Sequence, residues 1–581
     1  MSEKLIQKSS KITFPAFASV AALLIFLLIV YGDVTRRVGL GEGYSAGLLL
    51  AAVFALVFAA GAAWRSYREA RWVTGPITLS VVIIAVQALL ILIRVNPGTS
   101  SAMLVGYVTN TLIVHAMAIT AAVVAFNYHA EQSTTFRFTT PFAKMSILVT
   151  GLVFVALVSG VFVTVTSAAG ACSGFPLCGN GWELPTMGLG WIHVGHRVVV
   201  GLAALSMLVL FRMAWRTQRY QTAILVSATA ATVMFMAQML VGGQLGTGNL
   251  TLDLIGLHSA AGTAAWAMLV VLVVQVGLSA RTVEVENLST QTTTDIRTRA
   301  KDFLTLTKPI VVLLLLVTTY AGMVVGAKAF PSFALTFWTI MGGALAAGGS
   351  AAINQYIDRD LDKMMKRTAK RPLAAKRLTP AEGLAFGVAL CLTAFFVLAV
   401  FANLLAAVLS VVGMFYYVWL YSILLKNSTV QNIVIGGGAG AIPPLVGWAA
   451  ATGSLTIESL LLFAIIFMWT PPHFWALALV RVRDYARGGV PMLPVVRGEM
   501  ETRKQIFWYT IWMVAVTLIA PFVGLGGWLY TIPAVLMGVG LIFMAWRIYK
   551  AYTPKLGWKM YRYTSMYLAF LFFFMVMDAV L

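Results

Sequence analysis

The sequence predicts an all-α polytopic membrane protein made of two helical bundles. Hydrophobic residues occupy 60% of the 581 positions, and apolar runs of about 20 residues, each long enough to cross a bilayer as a helix, recur along the chain. Only helices or closed barrels satisfy their backbone hydrogen bonds in lipid. We count about seventeen runs, too many for one bundle. One polar segment, 281–304, separates an eight-helix bundle from a nine-helix bundle.

The positive charge follows the expected membrane topology. The net charge is +21, but Lys and Arg are concentrated in alternate loops, as the positive-inside rule requires. This pattern excludes nucleic acid as a partner and predicts a multi-pass protein of the plasma membrane, in contact with anionic lipid head groups. The segments predicted to be cytoplasmic are 65–71, 212–219, 281–301, 353–379 and 480–505.

The first bundle, residues 1–280, contains a weak internal repeat. The stretch 85–93 resembles 237–245, and each copy is followed by a helix with one histidine, His115 or His258. Two four-helix halves in parallel orientation fit this repeat. The first apolar run has no cleavage site, so we expect a retained helix. The eight spans are expected at roughly 13–32, 45–64, 77–95, 104–128, 144–168, 189–214, 222–243 and 250–279.

Histidines mark a candidate haem site in this bundle. His193 and His196 open the sixth span in WIHVGHR, and His258 opens the eighth in GLHSAAG. Both spans run from outside inward by the charge pattern, so His196 and His258 are expected at similar depth. Two neutral imidazoles on facing helices suit a bis-histidine haem. A pair of core histidines bonded to backbone fits the same residues, and the sequence leaves both interpretations open.

The three cysteines divide into two kinds. Cys391 lies within an apolar span and is interpreted as a core residue. Cys172 and Cys178 lie in CSGFPLC, in a loop predicted to be outside, where an oxidising compartment favours a disulfide.

The second bundle, residues 305–581, follows the polar linker 281–304, which shows no apolar period. The loops after its second and sixth spans are long and both predicted to be cytoplasmic, so we expect one site covered by both. The nine spans are expected at roughly 307–328, 332–352, 380–402, 404–424, 430–450, 457–479, 506–526, 529–549 and 562–580.

The first of these loops opens with NQYIDRDLD, residues 354–362. Asn354, Asp358 and Asp362 are four residues apart and share one helical face at a wet helix end, whereas Asp360 lies off that face. Carboxylate and amide oxygens suit Mg²⁺, which binds phosphate oxygens in turn. Cations follow directly and can hold the remaining phosphate charge: Lys363, Lys366, Arg367, Lys370 and Arg371. A solvated charged loop is the alternative, but it does not require acids at helical spacing.

The second loop carries one acid, Asp484, among Arg481, Arg483 and Arg487. Opposite the first loop, Asp484 can complete a second Mg²⁺ site while the arginines bind diphosphate. His473, in PPHFW, lies about one turn inside the membrane, where packing beneath tryptophans is one interpretation of its role.

The segment NQYIDRDLDKMMKRTAKRPL resembles the first acidic motif of UbiA-type intramembrane prenyltransferases, and above all that of the protohaem IX farnesyltransferases, or haem O synthases. The resemblance runs from about Thr305 to the C-terminus and includes PPHFWALA, DYARGGVPMLP and LLKNSTVQNIVIGGGAGAIPPLVGWAA. It implies a nine-helix prenyltransferase bundle in which Lys426 contacts diphosphate, His473 faces haem, and Gly436 to Gly440 permit close helix approach.

The same resemblance implies the reaction. Farnesyl diphosphate ionises, the vinyl group of haem B attacks the allylic cation, and water completes haem O for haem-copper terminal oxidases. The terminal oxidase assembly factors are implied as further partners. In this hypothesis Mg²⁺ is held by Asn354, Asp358, Asp362 and Asp484, and diphosphate by Arg367, Lys370, Arg371, Lys426, Arg481 and Arg483.

Residues 13–280 are similar to the haem A synthase family through FPLC, GHR and LHS. That resemblance implies His196 and His258 as ligands of haem b, the disulfide Cys172–Cys178, and His115 as a remaining haem residue. The first half departs from the family, because Gly43 and Ala46 stand where a Glu and a His are expected, with Glu42 one residue early. We therefore expect haem binding by a degenerate haem A synthase, with a bifunctional haem O and haem A synthase as the alternative.

Two further rivals come from other acceptors and other classes. A prenyltransferase for a quinone-type aromatic ring is disfavoured by PPHFWALA and DYARGGVPMLP. A transporter or an electron-carrying cytochrome is disfavoured because the acids of the second bundle lie on one side of the membrane, whereas transport needs access from both.

Overall fold

The computed structural model describes residues 2–38, 43–92, 101–128, 135–172, 174, 177–178, 182–186, 188–246, 251–279 and 295–581. Within these ranges the regular elements are helices, and seventeen of them are long and apolar enough to cross a membrane. The predicted all-helical, multi-span membrane architecture is confirmed. The chain divides into two compact units, Met1–Thr292 and Thr293–Leu581.

The N-terminal unit contains eight of these helices. They are α1 (Ser2–Val38), α2 (Gly43–Ser66), α3 (Arg71–Leu92), α4 (Ser101–Phe126), α5 (Pro141–Val165), α6 (Gly188–Thr217), α7 (Thr222–Gly246) and α8 (Leu252–Ser279). Its main core lies among α1 to α4, and Trp266, Val270 and Val274 of α8 pack into it. The Trp266 indole donates to the Leu112 carbonyl at 3.0 Å, so α8 is fixed directly to α4.

The C-terminal unit contains nine further candidate spans and several shorter helices. In chain order these are α9 (Ile296–Leu306), α10 (Pro309–Ala327), α11 (Phe333–Ile357), α12 (Arg359–Met364), α13 (Pro380–Phe401), α14 (Leu404–Phe415), a π-helix (Tyr416–Leu425), α15 (Asn432–Gly436), α16 (Gly438–Thr452), α17 (Ile457–Val480), α18 (Val482–Arg487), α19 (Leu493–Val496), α20 (Gly498–Thr517), α21 (Trp528–Lys550) and α22 (Pro554–Val580).

Helix α9 occupies the end of the segment that the sequence predicts as a polar linker. Its buried Leu306 packs with Leu373 and Leu378. Its charged residues have partners far along the chain: Asp302 pairs with Arg377 at 3.0 Å and Arg299 with Glu382 at 2.6 Å. The charges that suggest a linker therefore attach the helix to the bundle. Residues 281–294 of the predicted linker lie outside the described residues.

Several spans begin earlier than their apolar runs predict. The helices α3, α20 and α22 begin at Arg71, Gly498 and Pro554. The first turn of α20 contains Glu499 and Glu501, and carboxylates are favourable there because the helix dipole is positive at its N-terminus. Polar first turns thus extend a helix beyond the hydrophobic stretch that crosses the membrane.

Glycines set the closest helix contacts in the C-terminal unit. A Cβ atom at Gly447 of α16 would overlap the Thr319 carbonyl oxygen of α10, and one at Gly322 would overlap the Pro444 carbonyl oxygen. Small residues of this kind allow helix backbones to approach closely in membranes, where dispersion contacts drive association. The close contact between α10 and α16 therefore depends on glycine at positions 322 and 447.

We expect Gly447→Ala to destabilise this unit, because the new methyl group must separate two backbones. Overpacking of this kind costs about 1–3 kcal/mol. The matched control is Gly440→Ala in the same helix, where a Cβ meets no atom within 4 Å. Thermal unfolding in detergent, followed by tryptophan fluorescence, should show a lower midpoint for Gly447→Ala alone. Equal midpoints for the two variants would contradict the packing account.

Candidate functional site

The first acidic loop keeps its residues on one face, as the spacing predicts. The Asp358 amide donates to the Asn354 carbonyl at 2.9 Å and the Asp362 amide to the Asp358 carbonyl at 2.8 Å, so helical bonding continues from α11 into α12. Asn354, Asp358 and Asp362 are 3%, 3% and 1% exposed, whereas the Asp360 side chain is 71% exposed and pairs with Lys363. The expectation of a wet helix end is wrong for Asp358, because neighbouring helices bury it.

Both buried carboxylates are paired with cations. Lys426 donates to Asp358 Oδ2 at 2.5 Å, and the Asn354 amide donates to the same oxygen at 2.9 Å. Arg371 Nη1 donates to Asp362 Oδ1 and Oδ2 at 2.9 and 2.8 Å. Charges this far from water persist only with such partners, since an isolated buried ion is very costly.

Lys308 is a third cation at this site, and sequence reasoning missed it. It caps α10 in the left-handed backbone region, with φ of 52°, a conformation that non-glycine residues adopt at a cost and that recurs at functional sites. Its Nζ donates to Asn354 Oδ1 at 2.7 Å and to the Tyr417 hydroxyl at 3.2 Å. Burial, and after it the charge of Arg371, lowers the pKa of Lys308 to about 8, although Asp358 opposes the shift.

The π-helix aligns polar side chains of an apolar span with the site. The Lys426 amide donates to the Tyr421 carbonyl at 2.9 Å, five residues back, and π-helical turns of this kind are frequent at functional sites. Ser422 accepts from the Asn354 amide at 3.0 Å, and the Tyr417 hydroxyl donates to Asn354 Oδ1 at 3.3 Å. The only sequence signal is the spacing of the hydroxyl groups. Tyr421 follows Tyr417 by four residues, but Ser422 follows it by five, one more than the α-helical i to i+4 spacing.

Glycine also shapes this face of the site. A Cβ atom at Gly436 would overlap the Tyr421 ring, and one at Gly438 would lie 2.6 Å from the Tyr416 hydroxyl. Gly440, by contrast, faces open space. The close helix approach expected for Gly436 to Gly440 is therefore present at Gly436 and Gly438, where the tyrosines of the π-helix pack.

The second acidic loop packs against the first. Leu361, between the two buried aspartates, joins a cluster with Tyr485, Val490 and Met492. A Cβ atom at Gly488 would lie 3.1 Å from the Met365 sulfur. Burial raises the pKa of Tyr485, which lies within electrostatic reach of Arg367 and Arg481. The two loops thus form one surface, as their common side of the membrane predicts.

Asp484 and the remaining cations lie on this surface. Asp484 is half-buried, and the part of the chain that the structure describes gives it no ion pair. Arg481 stacks over the Trp558 ring at 5.5 Å. Arg367, Lys370 and Arg483 are exposed side chains of the two loops. In the described ranges, none of them forms an ion pair with the buried Asp358 or Asp362. Among the described residues, no three His, Cys, Asp or Glu side chains converge to hold a metal ion.

His473 is packed between aromatic rings. The Trp469 ring lies 4.1 Å from its centroid and the Tyr561 ring 4.4 Å, both roughly parallel to it. Its Nδ1 hydrogen-bonds to the Thr564 hydroxyl at 2.8 Å, and the residue is 6% exposed. With both ring faces covered, this geometry favours the packing interpretation over contact of the ring face with haem.

The N-terminal unit brings His196 and His258 together. The two imidazoles lie within electrostatic reach of each other. His196 Nδ1 is bonded to the Ser159 hydroxyl at 2.8 Å and His258 Nδ1 to the Gln238 carbonyl at 3.0 Å. Ligation of a metal by either ring would therefore be through Nε2, with the second nitrogen fixing the ring, as in many metal sites.

Glycines give both rings their space. A Cβ atom at Gly160 would lie 3.2 Å from His196 Cε1, and one at Gly242 would lie 2.9 Å from His258 Cε1. His115, on α4, is 2% exposed, and its Nδ1 has no hydrogen-bond partner among the described residues. Ala46 is exposed on α2, while Glu42 lies outside the described residues.

The cysteine-containing loop before α6 is held in two ways. A disulfide joins Cys172 and Cys178, with Cα atoms 4.6 Å apart. Arg197 donates to the carbonyls of Gly174 at 2.5 Å and Cys172 at 3.4 Å, and also to that of Leu177. Cys391 is a free, half-buried cysteine.

Known proteins have sequences similar to that of this chain. The model of the UbiA prenyltransferase family matches residues 315–574. The protoheme IX farnesyltransferase of Roseiflexus castenholzii is 41% identical over 447 residues, which is 74% of this chain and 82% of that protein. That of Haloquadratum walsbyi is 34% identical over 460 residues, 73% and 94% of the two chains. A solved digeranylgeranylglyceryl phosphate synthase has a TM-score of 0.43 and 14% identity over 49% of this chain and 99% of its own.

The family model and the protoheme IX farnesyltransferase relatives, with the membrane helices, define the class of protein as an intramembrane prenyltransferase. Within that class, the chain belongs to the protohaem IX farnesyltransferases of the UbiA prenyltransferase family. The Roseiflexus match covers 74% of the chain, more than the C-terminal unit from Thr293 to Leu581 contains. The likeness to that relative therefore extends into the N-terminal unit.

We expect Arg371→Gln to destabilise the protein, because it leaves Asp362 buried without a counter-ion. Breaking a buried pair by removing one partner costs about 3–5 kcal/mol. Arg367→Gln, four residues earlier on an exposed side chain, is the control and should change stability by less than about 0.5 kcal/mol. Both are compared by chemical unfolding in detergent. If Arg371→Gln left the stability of the protein unchanged, water would have to reach Asp362.

Proposed function

We propose that the C-terminal unit transfers the farnesyl group of farnesyl diphosphate to the vinyl group of haem B, with addition of water, to form haem O for haem-copper terminal oxidases. The observation that carries this proposal is the set of buried oxygen donors, Asn354, Asp358 and Asp362, each in contact with a cation at the foot of an apolar bundle. The protoheme IX farnesyltransferases among the relatives support the choice of substrates.

The donor set fits Mg²⁺. Asn354, Asp358, Asp362 and Asp484 offer amide and carboxylate oxygens, the ligands that this ion prefers. Two of the carboxylates are buried and paired with cations, which compensate their charge inside the apolar bundle. When bound, Mg²⁺ would neutralise charge on the diphosphate leaving group.

The side chains around these donors would bind and orient the prenyl diphosphate. Lys426, Arg371 and Lys308 reach the site from three parts of the chain, and Arg481 would approach it from the second loop. Together they would hold the diphosphate oxygens as the bond between allylic carbon and oxygen breaks. Arg367, Lys370 and Arg483 are exposed at the rim and would attract the anion from solution.

The apolar bundle would protect the allylic cation from attack by water before the vinyl group reacts with it. One vinyl carbon of haem B forms the new carbon–carbon bond, water adds to the other, and one proton leaves to solvent. No protein nucleophile is needed. The stacked rings of Tyr417 and Tyr421, 5.8 Å apart, offer π faces beside the site that favour a cation.

The N-terminal unit would bind haem b through Nε2 of His196 and His258. The fixed Nδ1 atoms and the glycines beside each ring support this assignment, and the outer loop clamped by Arg197 and the disulfide would cover the haem edge. Oxidation of haem O to haem A is not part of the proposal, because Gly43 and Ala46 supply neither carboxylate nor imidazole.

The charge pattern supports placement in the plasma membrane, with both acidic loops cytoplasmic.

The first test of this function is Asp358→Asn against Asp360→Asn. The full chain is incubated with isotope-labelled farnesyl diphosphate, Mg²⁺ and haem B, and extracted haems are analysed by mass spectrometry. Asp358→Asn keeps the side-chain volume but removes the charge, and should lower haem O formation by about 100-fold or more. Asp360→Asn changes an exposed acid off the site face and should remain near wild type. Equal losses would contradict the assignment of the face, and label in an aromatic acid but not in haem would favour the quinone-type acceptor.

The second test concerns the histidines of the N-terminal unit. Purified full chain should contain a six-coordinate low-spin haem, detected by its optical spectrum, that His258→Ala abolishes. His193→Ala, one turn before His196 on the same helix, is the control and should retain the spectrum. A low-spin haem that survives loss of His258 would contradict bis-histidine ligation, and haem A in the extract would restore the bifunctional alternative.

A further inference from the structure

Three residues that the first acidic loop offers to a metal each already accept a hydrogen bond from a cation of the same chain. Asp358 is bonded to Lys426, Asp362 to Arg371, and Asn354 Oδ1 to Lys308. The cations come from three separate parts of the chain. Three of the four proposed Mg²⁺ ligands are therefore bonded to ammonium and guanidinium groups, whereas Asp484 has no ion pair among the described residues.

Water is a poor substitute for these partners. The Asp358 and Asp362 side chains are 4% and 2% exposed, and those of Lys426 and Arg371 are 13% and 22% exposed. A metal ion that arrives alone must separate these pairs and would leave two or three cations beside a divalent ion. Repulsion at low dielectric makes that arrangement costly.

A diphosphate removes this obstacle. It brings several oxygen acceptors that Lys426, Arg371 and Lys308 can bind in place of the carboxylates and the amide. The freed oxygens can then take the metal, which also binds the diphosphate. The cations change acceptor, and no buried charge is left without a partner at either stage.

We propose that Lys426, Arg371 and Lys308 act as internal counter-ions that close this site to divalent metal until a prenyl diphosphate takes them over. Metal and diphosphate therefore bind cooperatively, each raising the affinity for the other. The inference rests on the proposed function of the site, and it assigns to these cations a role in the ligand-free protein as well as in substrate binding.

The test is a Mn²⁺ titration of the full chain, followed by electron paramagnetic resonance in phosphatidylcholine nanodiscs. It is run without ligand and with farnesyl thiodiphosphate, in which sulfur replaces the bridging oxygen. We expect the thiodiphosphate to tighten Mn²⁺ binding by about 5- to 150-fold, the usual range of coupling between linked sites, and Mn²⁺ to tighten thiodiphosphate binding by the same factor. Equal Mn²⁺ affinity in both conditions would overturn the inference and leave the proposed function intact. No Mn²⁺ binding in either condition would overturn both.

Variants separate the counter-ions from other charges. Lys308→Met leaves both carboxylate pairs in place, so it is expected to fold, and it should strengthen ligand-free Mn²⁺ binding while reducing the coupling. Lys426→Met should do so more strongly, provided its thermal unfolding remains cooperative. Lys363→Met, which loses only a pair with the exposed Asp360, is the control. Unchanged ligand-free affinity and full coupling in Lys308→Met would contradict the inference.

Discussion

The C-terminal unit depends on the pairing of buried carboxylates with cations from distant parts of the chain. Asp358 and Asp362 lie at the foot of a membrane bundle, where an unpaired charge could not be maintained. Lys426 follows the π-helix, Arg371 lies in the loop after α12, and Lys308 caps α10. The π-helix must therefore be in position before Asp358 is compensated, and the loop after α12 must be in position before Asp362 is compensated. This requirement links the fold of the bundle directly to the geometry of the site.

The same constraint explains several departures from regular structure. The π-helix brings Tyr417, Ser422 and Lys426 onto one face, and the left-handed conformation at Lys308 places its ammonium group on Asn354. Gly436 makes room for Tyr421, and Gly488 lets the second loop approach Met365. The π-helix and the left-handed conformation at Lys308 each have a local cost, and each places a polar group against the acidic face.

Much of this could be predicted from the sequence, because two periodic signals are strong. Long apolar runs define the membrane helices, and acids four residues apart place Asn354, Asp358 and Asp362 on one face while leaving Asp360 outside. The sequence could not predict which cations meet them, since Lys426 is 68 residues from Asp358. The π-helix hid Ser422 and Tyr417 within an apolar run, and the partners of Asp302 and Arg299 lie far from α9. The sequence also could not predict the depth of Asp358, because burial at a helix end depends on the neighbouring helices. In the N-terminal unit the histidines could be predicted, but not Ser159 or the Gln238 carbonyl that fix them.

A structure of the full chain with farnesyl thiodiphosphate and Mg²⁺ would test this account most directly. It should show metal-to-oxygen distances of about 2.0–2.1 Å to Asp358 and Asp362, with Lys426 and Arg371 moved onto diphosphate oxygens. If the Asp358–Lys426 and Asp362–Arg371 pairs remained intact while the diphosphate and metal bound elsewhere, the account would be contradicted.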